Sequence, residues 1–199
     1  MARLILASTS PYRRQLLKRL GLPFDIRAIS VDESARENED AAKLATRLAT
    51  AKARAIIDPN DNATEIIIGA DQVAALNGDL LRKPGDHETA LQQLDDCQGQ
   101  TVVFSTAVTV FVTNSGQAIH SLDRTDVDFL TLPREQLNLY LRLEQPYDCA
   151  GGFKAEGLGI SLFRSIRSED PTALLGLPLI RLAQILRDLN LDPLDSSRN

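Results

Sequence analysis

The chain has no tryptophan, one methionine, two histidines and only two cysteines among 199 residues, and aromatic residues make up 5% of it. Cys97 and Cys149 stand far apart with no CxxC, so a zinc ribbon and a disulfide framework are both excluded, and the thiols read as small core residues of a reducing compartment. Neither histidine sits in a serine or cysteine pattern that would suggest a nucleophile relay. No GxxxxGK[ST] occurs, and Gly157-Leu158-Gly159 lacks the third glycine and the following helix of a dinucleotide fingerprint. The opening run Leu4-Ile5-Leu6-Ala7 is far short of a signal peptide's apolar region, which sets the expectation of a cytoplasmic protein. The uncharged stretch from Cys97 to Leu122 is too rich in Thr, Ser, Gln, Asn and Gly for a spanning helix, so no membrane partner is expected.

What is present describes a single domain of ordinary make-up, with 43% hydrophobic and 25% charged residues. A net charge of −5 argues against sequence-independent binding to nucleic acid, so any polyanionic ligand has to meet a local basic cluster.

Hydrophobic periodicity predicts a strand over Arg3–Ala7 and a helix from Pro11 with Ser10 as its cap. A short strand over Phe24–Ile29 leads into an acidic stretch, Asp32–Asp40. A long amphipathic helix then starts at Ala41, capped by Asp40. Glu65–Ala75 is too apolar at its start to be half exposed and reads as a central strand, followed by an Asn77-Gly78 turn. Helices are expected over Asp86–Cys97, Pro133–Leu143 and Pro178–Leu189, the last apolar on most sides and therefore buried. Thr101–Thr113 and Ala118–Leu130 form a hairpin, Ile160–Ile166 a further strand, and residues 192–199 a polar, frayed tail. The antiparallel hairpin interrupting alternating helices and strands predicts a mixed sheet flanked by helices, in one domain spanning 1–199.

Asp71 is the main local anomaly, a carboxylate directly after Ile66-Ile67-Ile68-Gly69-Ala70. Burying it requires a cation, a metal or a polar cleft. Ser8-Thr9-Ser10-Pro11-Tyr12-Arg13-Arg14 joins a strand to a helix amino terminus, where hydroxyls, free N–H groups and guanidiniums suit a phosphate. Lys52 stands at the border of its helix's apolar stripe, to snorkel or to reach into a cleft. Arg82-Lys83-Pro84-Gly85 offers a second clamp, and the glycines of 151–159 allow close approach to a ligand near Lys154 and Glu156. One tension remains: Asp71 and Gln72 are neighbours and face opposite ways in a regular strand, so the chain has to bend near Gly69, or the strand end there, for both to reach one ligand.

Taken in order, the Ser8–Arg14 segment, Val31-Asp32-Glu33, Lys52, Gly69-Ala70-Asp71-Gln72, Lys83-Pro84, Lys154/Glu156 and Gly176-Leu177-Pro178 resemble the Maf family of nucleotide pyrophosphatases over about 4–189, and within it the 7-methyl-GTP branch. The resemblance implies an α/β fold like that of inosine triphosphate pyrophosphatase, with a twisted mixed sheet and two lobes around a nucleotide cleft. It implies hydrolysis of a nucleoside triphosphate to monophosphate and pyrophosphate with a divalent metal, Mg2+ or Mn2+, in a possible homodimer. Asp71 would be the proton acceptor, with Glu33 and Asp71 as metal ligands. Ser8, Arg13, Arg14, Lys52 and Lys83 would contact phosphate, with Lys154 nearby and Arg82 at the surface. Tyr12, Gln72 and Glu156 would set base preference: Tyr12 stacking on a cationic 7-methylguanine, Glu156 accepting from its N1–H and 2-amino group. Two alternatives stand beside this reading, a pyrimidine triphosphate pyrophosphatase and a nucleotide-binding regulator of septation.

Overall fold

The computed structural model describes residues 2–58 and 63–195. Seven strands form one mixed sheet: β1 (Arg3–Ala7), β2 (Asp25–Arg27), β3 (Glu65–Leu76), β4 (Asp79–Leu81), β5 (Thr101–Val112), β6 (Gln117–Phe129) and β7 (Phe163–Arg167). Its order is β2-β1-β3-β5-β6-β7, with β4 on the flank of β3. The first three strands of that order run parallel, and every later neighbour is antiparallel. The helices are α1 (Pro11–Lys18), α2 (Ala41–Arg54), α3 (His87–Cys97), α4 (Arg134–Glu144) and α5 (Leu179–Asp188). Ser10, Asp40 and Asp86 cap α1, α2 and α3 by accepting from the third residue beyond.

β3 carries the architecture. On one edge it pairs with β5 without interruption from Ile66 to Leu76. On the other, β1 covers it only as far as Gly69, and β4 takes over only at Ala74. Residues 70–73 therefore have no strand beside them on that edge.

One face of the sheet carries two separate cores. Leu4 and Leu6, Ile66 and Ile68, and Val108 and Val110 pack under Leu16 and Leu17 of α1 and Leu182, Ile185 and Leu186 of α5. Farther along the same strands, Ala74, Leu76, Val102, Phe104 and Val127 pack under Leu91 and Leu94 of α3 and Leu137 and Leu141 of α4. Both cores lie on one continuous sheet. The opposite face is covered by α2, which lies against β3 because position 69 is glycine: a Cβ there would stand 2.2 Å from the Ala49 carbonyl oxygen and 2.6 Å from the Ala53 nitrogen.

Four expectations are revised. β3 neither bends nor ends at Gly69, whose smallness serves the close approach of α2. Asn77-Gly78 opens a hairpin into the unforeseen β4, with both residues at positive φ. Leu158–Leu162 is a 3-10 turn, and the strand begins only at Phe163. Helix α5 buries one side and leaves Ile180 51% exposed. At the expected tail, Asp192 pairs with Arg187 at 3.1 Å; residues 196–199 lie outside the described residues. Among those described, no helix is long and apolar enough to cross a membrane.

Candidate active site

A cleft of about 400 Å³ opens where β3 lacks its neighbour. Its walls come from the loop after β1, the start of α1, the middle of β3, the Asp148–Glu156 segment and the turn before α5. Ligands of open α/β sheets collect at such places, where chain connections diverge and strand ends leave backbone groups free.

Asp71 lies at the bottom, 6% exposed. Its partner is Lys52, itself 8% exposed, whose Nζ donates to Asp71 Oδ1 at 2.5 Å and to Glu33 Oε1 at 2.6 Å. Lys52 therefore reaches inward and does not snorkel. The acidic stretch is drawn onto α2 by Arg47, which donates to Glu39 at 2.7 Å and to the Ser34 carbonyl at 2.8 Å, and this brings Glu33 over Lys52. The hydrogen bond from Arg47 draws the Glu39 carboxyl down to about 2. For Glu33, burial pushes the carboxyl up, but the hydrogen bond and charge of Lys52, with Lys83 and Arg13 beyond, outweigh it and hold the group below the usual carboxylate range.

Ser8 is buried at the end of β1, where its Oγ accepts from the Ser10 N–H at 3.1 Å. Arg13 enters the cleft from α1 and donates from Nε to the Gly176 carbonyl at 3.0 Å. Its other guanidinium nitrogens make no hydrogen bond to protein among the described residues, leaving them for a ligand. Burial lowers the Arg13 pKa, and the facing carboxylates of Asp71 and Glu33 work against that fall. Lys83 lines the rim and is exposed. Arg14 is not brought in: it lies on the exposed side of α1, outside the cleft walls, as does Arg82 beside its turn.

At the other end stand Tyr12, Asp148, Cys149, Lys154 and Glu156. Burial raises the Tyr12 pKa, Lys154 pulls the other way, and Cys149, Glu156 and Asp148 add to the rise. The phenol stays protonated at neutral pH. Burial pushes the Cys149 thiol up to about 12, so it holds no reactive thiolate. Glu156 forms no ion pair among the described residues. Lys154 points its ammonium toward the Glu144 carbonyl, 3.5 Å away, so the Lys154–Glu156 salt bridge that a plain surface segment would form is absent. Gly157 fits against the Glu144 carboxylate, 2.6 Å from where a Cβ would sit, which holds the Glu156 turn onto α4. Asp148 is a cleft residue that sequence reasoning passed over, since nothing in Tyr147-Asp148-Cys149 sets it apart.

Gln72 also borders the cleft, on the face opposite Asp71. Both reach it because the missing strand opens the sheet edge between them. Among the described residues no three His, Cys, Asp or Glu side chains converge as a metal cage. The carboxylates of Glu33 and Asp71, joined through one ammonium, are hard oxygen donors of the kind and number that Mg2+ or Mn2+ takes when water and phosphate complete its shell.

A cleft cationic at one end, acidic and aromatic at the other, and set in the broken edge of a mixed sheet belongs to an α/β protein that handles a small phosphorylated molecule. The chain belongs to the Maf family: the family model described as Maf-like protein matches residues 3–189. It is 53% identical over 184 residues to the 7-methyl-GTP pyrophosphatase of Polaromonas sp., covering 92% of this chain and 83% of that protein. It is 52% identical over 187 residues to the 7-methyl-GTP pyrophosphatase of Xanthomonas axonopodis pv. citri, covering 94% and 96%. The protein of the same name from Albidiferax ferrireducens is 49% identical over 185 residues, 93% of this chain and 92% of its own.

Proposed function

We propose that this chain is a nucleoside triphosphate pyrophosphatase that hydrolyses 7-methyl-GTP to 7-methyl-GMP and pyrophosphate. The observation that carries the reading is the polarity of one cleft, with Asp71 among Lys52, Arg13 and Lys83 at one end and, at the other, Glu156, without an ion pair among the described residues, beside Tyr12. Relatives about half identical over nearly the whole chain bear the name of that activity.

In this reading the triphosphate lies along the cationic end. Arg13 and Lys83 neutralise the charge that grows on the leaving pyrophosphate, while the Ser8 hydroxyl and the Tyr12 N–H, which makes no hydrogen bond to protein among the described residues, hold phosphate oxygens. Asp71 takes the proton of the attacking water as its oxygen bonds to the α-phosphorus and the bond to the bridging oxygen breaks. Lys52 fixes the orientation of that carboxylate. Glu33 and Asp71 would hold a magnesium or manganese ion. Bound there, such an ion supplies neutralisation of phosphate charge. At the far end, the Tyr12 ring stacks on the base, with a cation–π component for a positively charged 7-methylguanine, and Glu156 accepts from the N1–H and 2-amino donors. Cytosine and thymine present no adjacent pair of donors.

The test is pyrophosphate release from a panel of triphosphates, run with Mg2+ or Mn2+ and again after EDTA treatment. The highest kcat/KM is expected for 7-methyl-GTP, with activity lost in EDTA and restored by either metal. A preference for UTP or dTTP overturns the base assignment, and release from none of the panel overturns the reaction class.

A further inference from the structure

We propose that Tyr140 and Glu144 are positioning residues for Glu156: together they clasp the cleft wall that carries it, and so hold in place the carboxylate that reads the base. The inference rests on the pyrophosphatase reading for the role of Glu156, and on geometry for the clasp. Tyr140 and Glu144 stand four positions apart on α4 and share a face of it. The Tyr140 hydroxyl, on a side chain 3% exposed, accepts from the Lys154 N–H at 3.0 Å. The Glu144 Oε1 accepts from the Leu158 N–H at 3.3 Å. Each bond spans 14 positions, so two acceptors one helical turn apart meet two donors with the same spacing on the chain that has left the helix and come back.

Between those two donors the chain makes one tight turn, closed by the Gly157 N–H on the Lys154 carbonyl at 3.3 Å. Gly159 lets the turn close, since a Cβ there would stand 2.4 Å from the Lys154 carbonyl oxygen, and Gly157 leaves room for the Glu144 carboxylate. Glu156 sits on this turn, exposed, and lines the cleft. Among the described residues its carboxylate has no ion pair or hydrogen bond to protein, so the backbone on either side fixes where it stands. Upstream, Phe153 anchors the wall in the core, edge-on to Phe104, Phe129 and Phe163. Beyond Phe153 the clasp holds the turn. A base read through two hydrogen bonds tolerates little displacement of their acceptor, whereas the triphosphate, held by α1 and the Lys83 loop, does not sense it.

Glu144→Met keeps the side chain's length and removes the acceptor, while Glu144→Gln keeps an oxygen for the Leu158 N–H. For Glu144→Met the expected result is a fall of about tenfold in kcat/KM for 7-methyl-GTP and GTP, which share the N1–H and 2-amino donors, with UTP changed by less than about twofold. Tyr140→Phe should follow it, and Glu144→Gln should stay within about twofold of wild type on all three. In a Glu156→Ala background Glu144→Met is expected to change kcat/KM by less than about twofold, because the residue it positions is gone. A loss equal on all three triphosphates, or one that persists in Glu156→Ala, overturns the proposal. Two readouts are independent of turnover. Calorimetric binding of 7-methyl-GMP should weaken in Glu144→Met and hold in Glu144→Gln, and amide hydrogen exchange should quicken at Lys154 in Tyr140→Phe and at Leu158 in Glu144→Met. Exchange unchanged in both variants, or 7-methyl-GMP bound as tightly by Glu144→Met as by wild type, overturns the clasp even if no triphosphate is hydrolysed, which separates this failure from failure of the pyrophosphatase reading. Should Tyr140→Phe not fold, Glu144→Met, at a partly exposed position, is read by the same criteria.

Discussion

Strand β3 carries two buried carboxylates on the same face, Glu65 near its start and Asp71 six positions on, and they have different surroundings. Glu65 is 1% exposed and is closed in by Arg27, at 2.8 and 2.5 Å, and by Arg3. It lies where β1 covers the strand edge, and it does not line the cleft that holds Asp71. Asp71 is nearly as buried, but it lies in the gap between β1 and β4, so the face not taken by Lys52 opens on a cleft. A buried carboxylate with a cation beside it is thus no sign of chemistry by itself. Access for a ligand separates the two, and access here is a property of strand pairing.

Three substitutions sharpen that comparison. Asp71→Asn keeps shape and removes the proton acceptor; pyrophosphate release is expected to fall by about a thousandfold, with the thermal midpoint close to wild type. Activity retained in this variant would put the two carboxylates back in one class. Glu65→Gln should do the reverse, costing about 3 kcal/mol in denaturant unfolding because a buried charge that Arg3 and Arg27 share is removed, while kcat/KM of the folded fraction is unchanged. The smallest effect concerns Glu33, whose folded pKa lies below its ordinary 4.5. A depressed carboxyl binds its proton less readily folded than unfolded, so its contribution to stability is complete above that value and disappears as the pH falls through the folded one. Thermal midpoints of wild type and Glu33→Gln should differ at pH 6 and converge below pH 4.5; a gap that persists in acid would show that the contact with Lys52 does not depend on the charge of Glu33.

Much of the fold was legible because its signals are local. Period-two and period-3.6 patterns marked the long strands and all five helices, and Ser10, Asp40 and Asp86 are caps whose bonds span three residues. β4 and the 3-10 turn at Leu158–Leu162 were missed because each is short and leans on neighbours for its shape. At the site, Arg13 and Arg14 look alike in sequence. One helical step of about 100° separates them, and the packing of α1 on the sheet turns the first into the cleft and the second to solvent. Lys52 could have snorkelled. It reaches Asp71 because Gly69 lets α2 lie close, and Arg47 then folds the acidic stretch over it.

The order of residue types along the chain determined the elements, the mixed sheet, the candidate carboxylate and most of the cations, because propensity, capping and resemblance act at short range or as a pattern. Only the tertiary structure decided that β3 would lack a neighbour between Gly69 and Ala74, that Asp71 would be open where Glu65 is closed, and that Gln72 would donate from its amide nitrogen to a turn 101 positions away. Those outcomes depend on which distant backbones compete for the same edge and the same donors. Such competition is resolved only when the whole sheet is assembled.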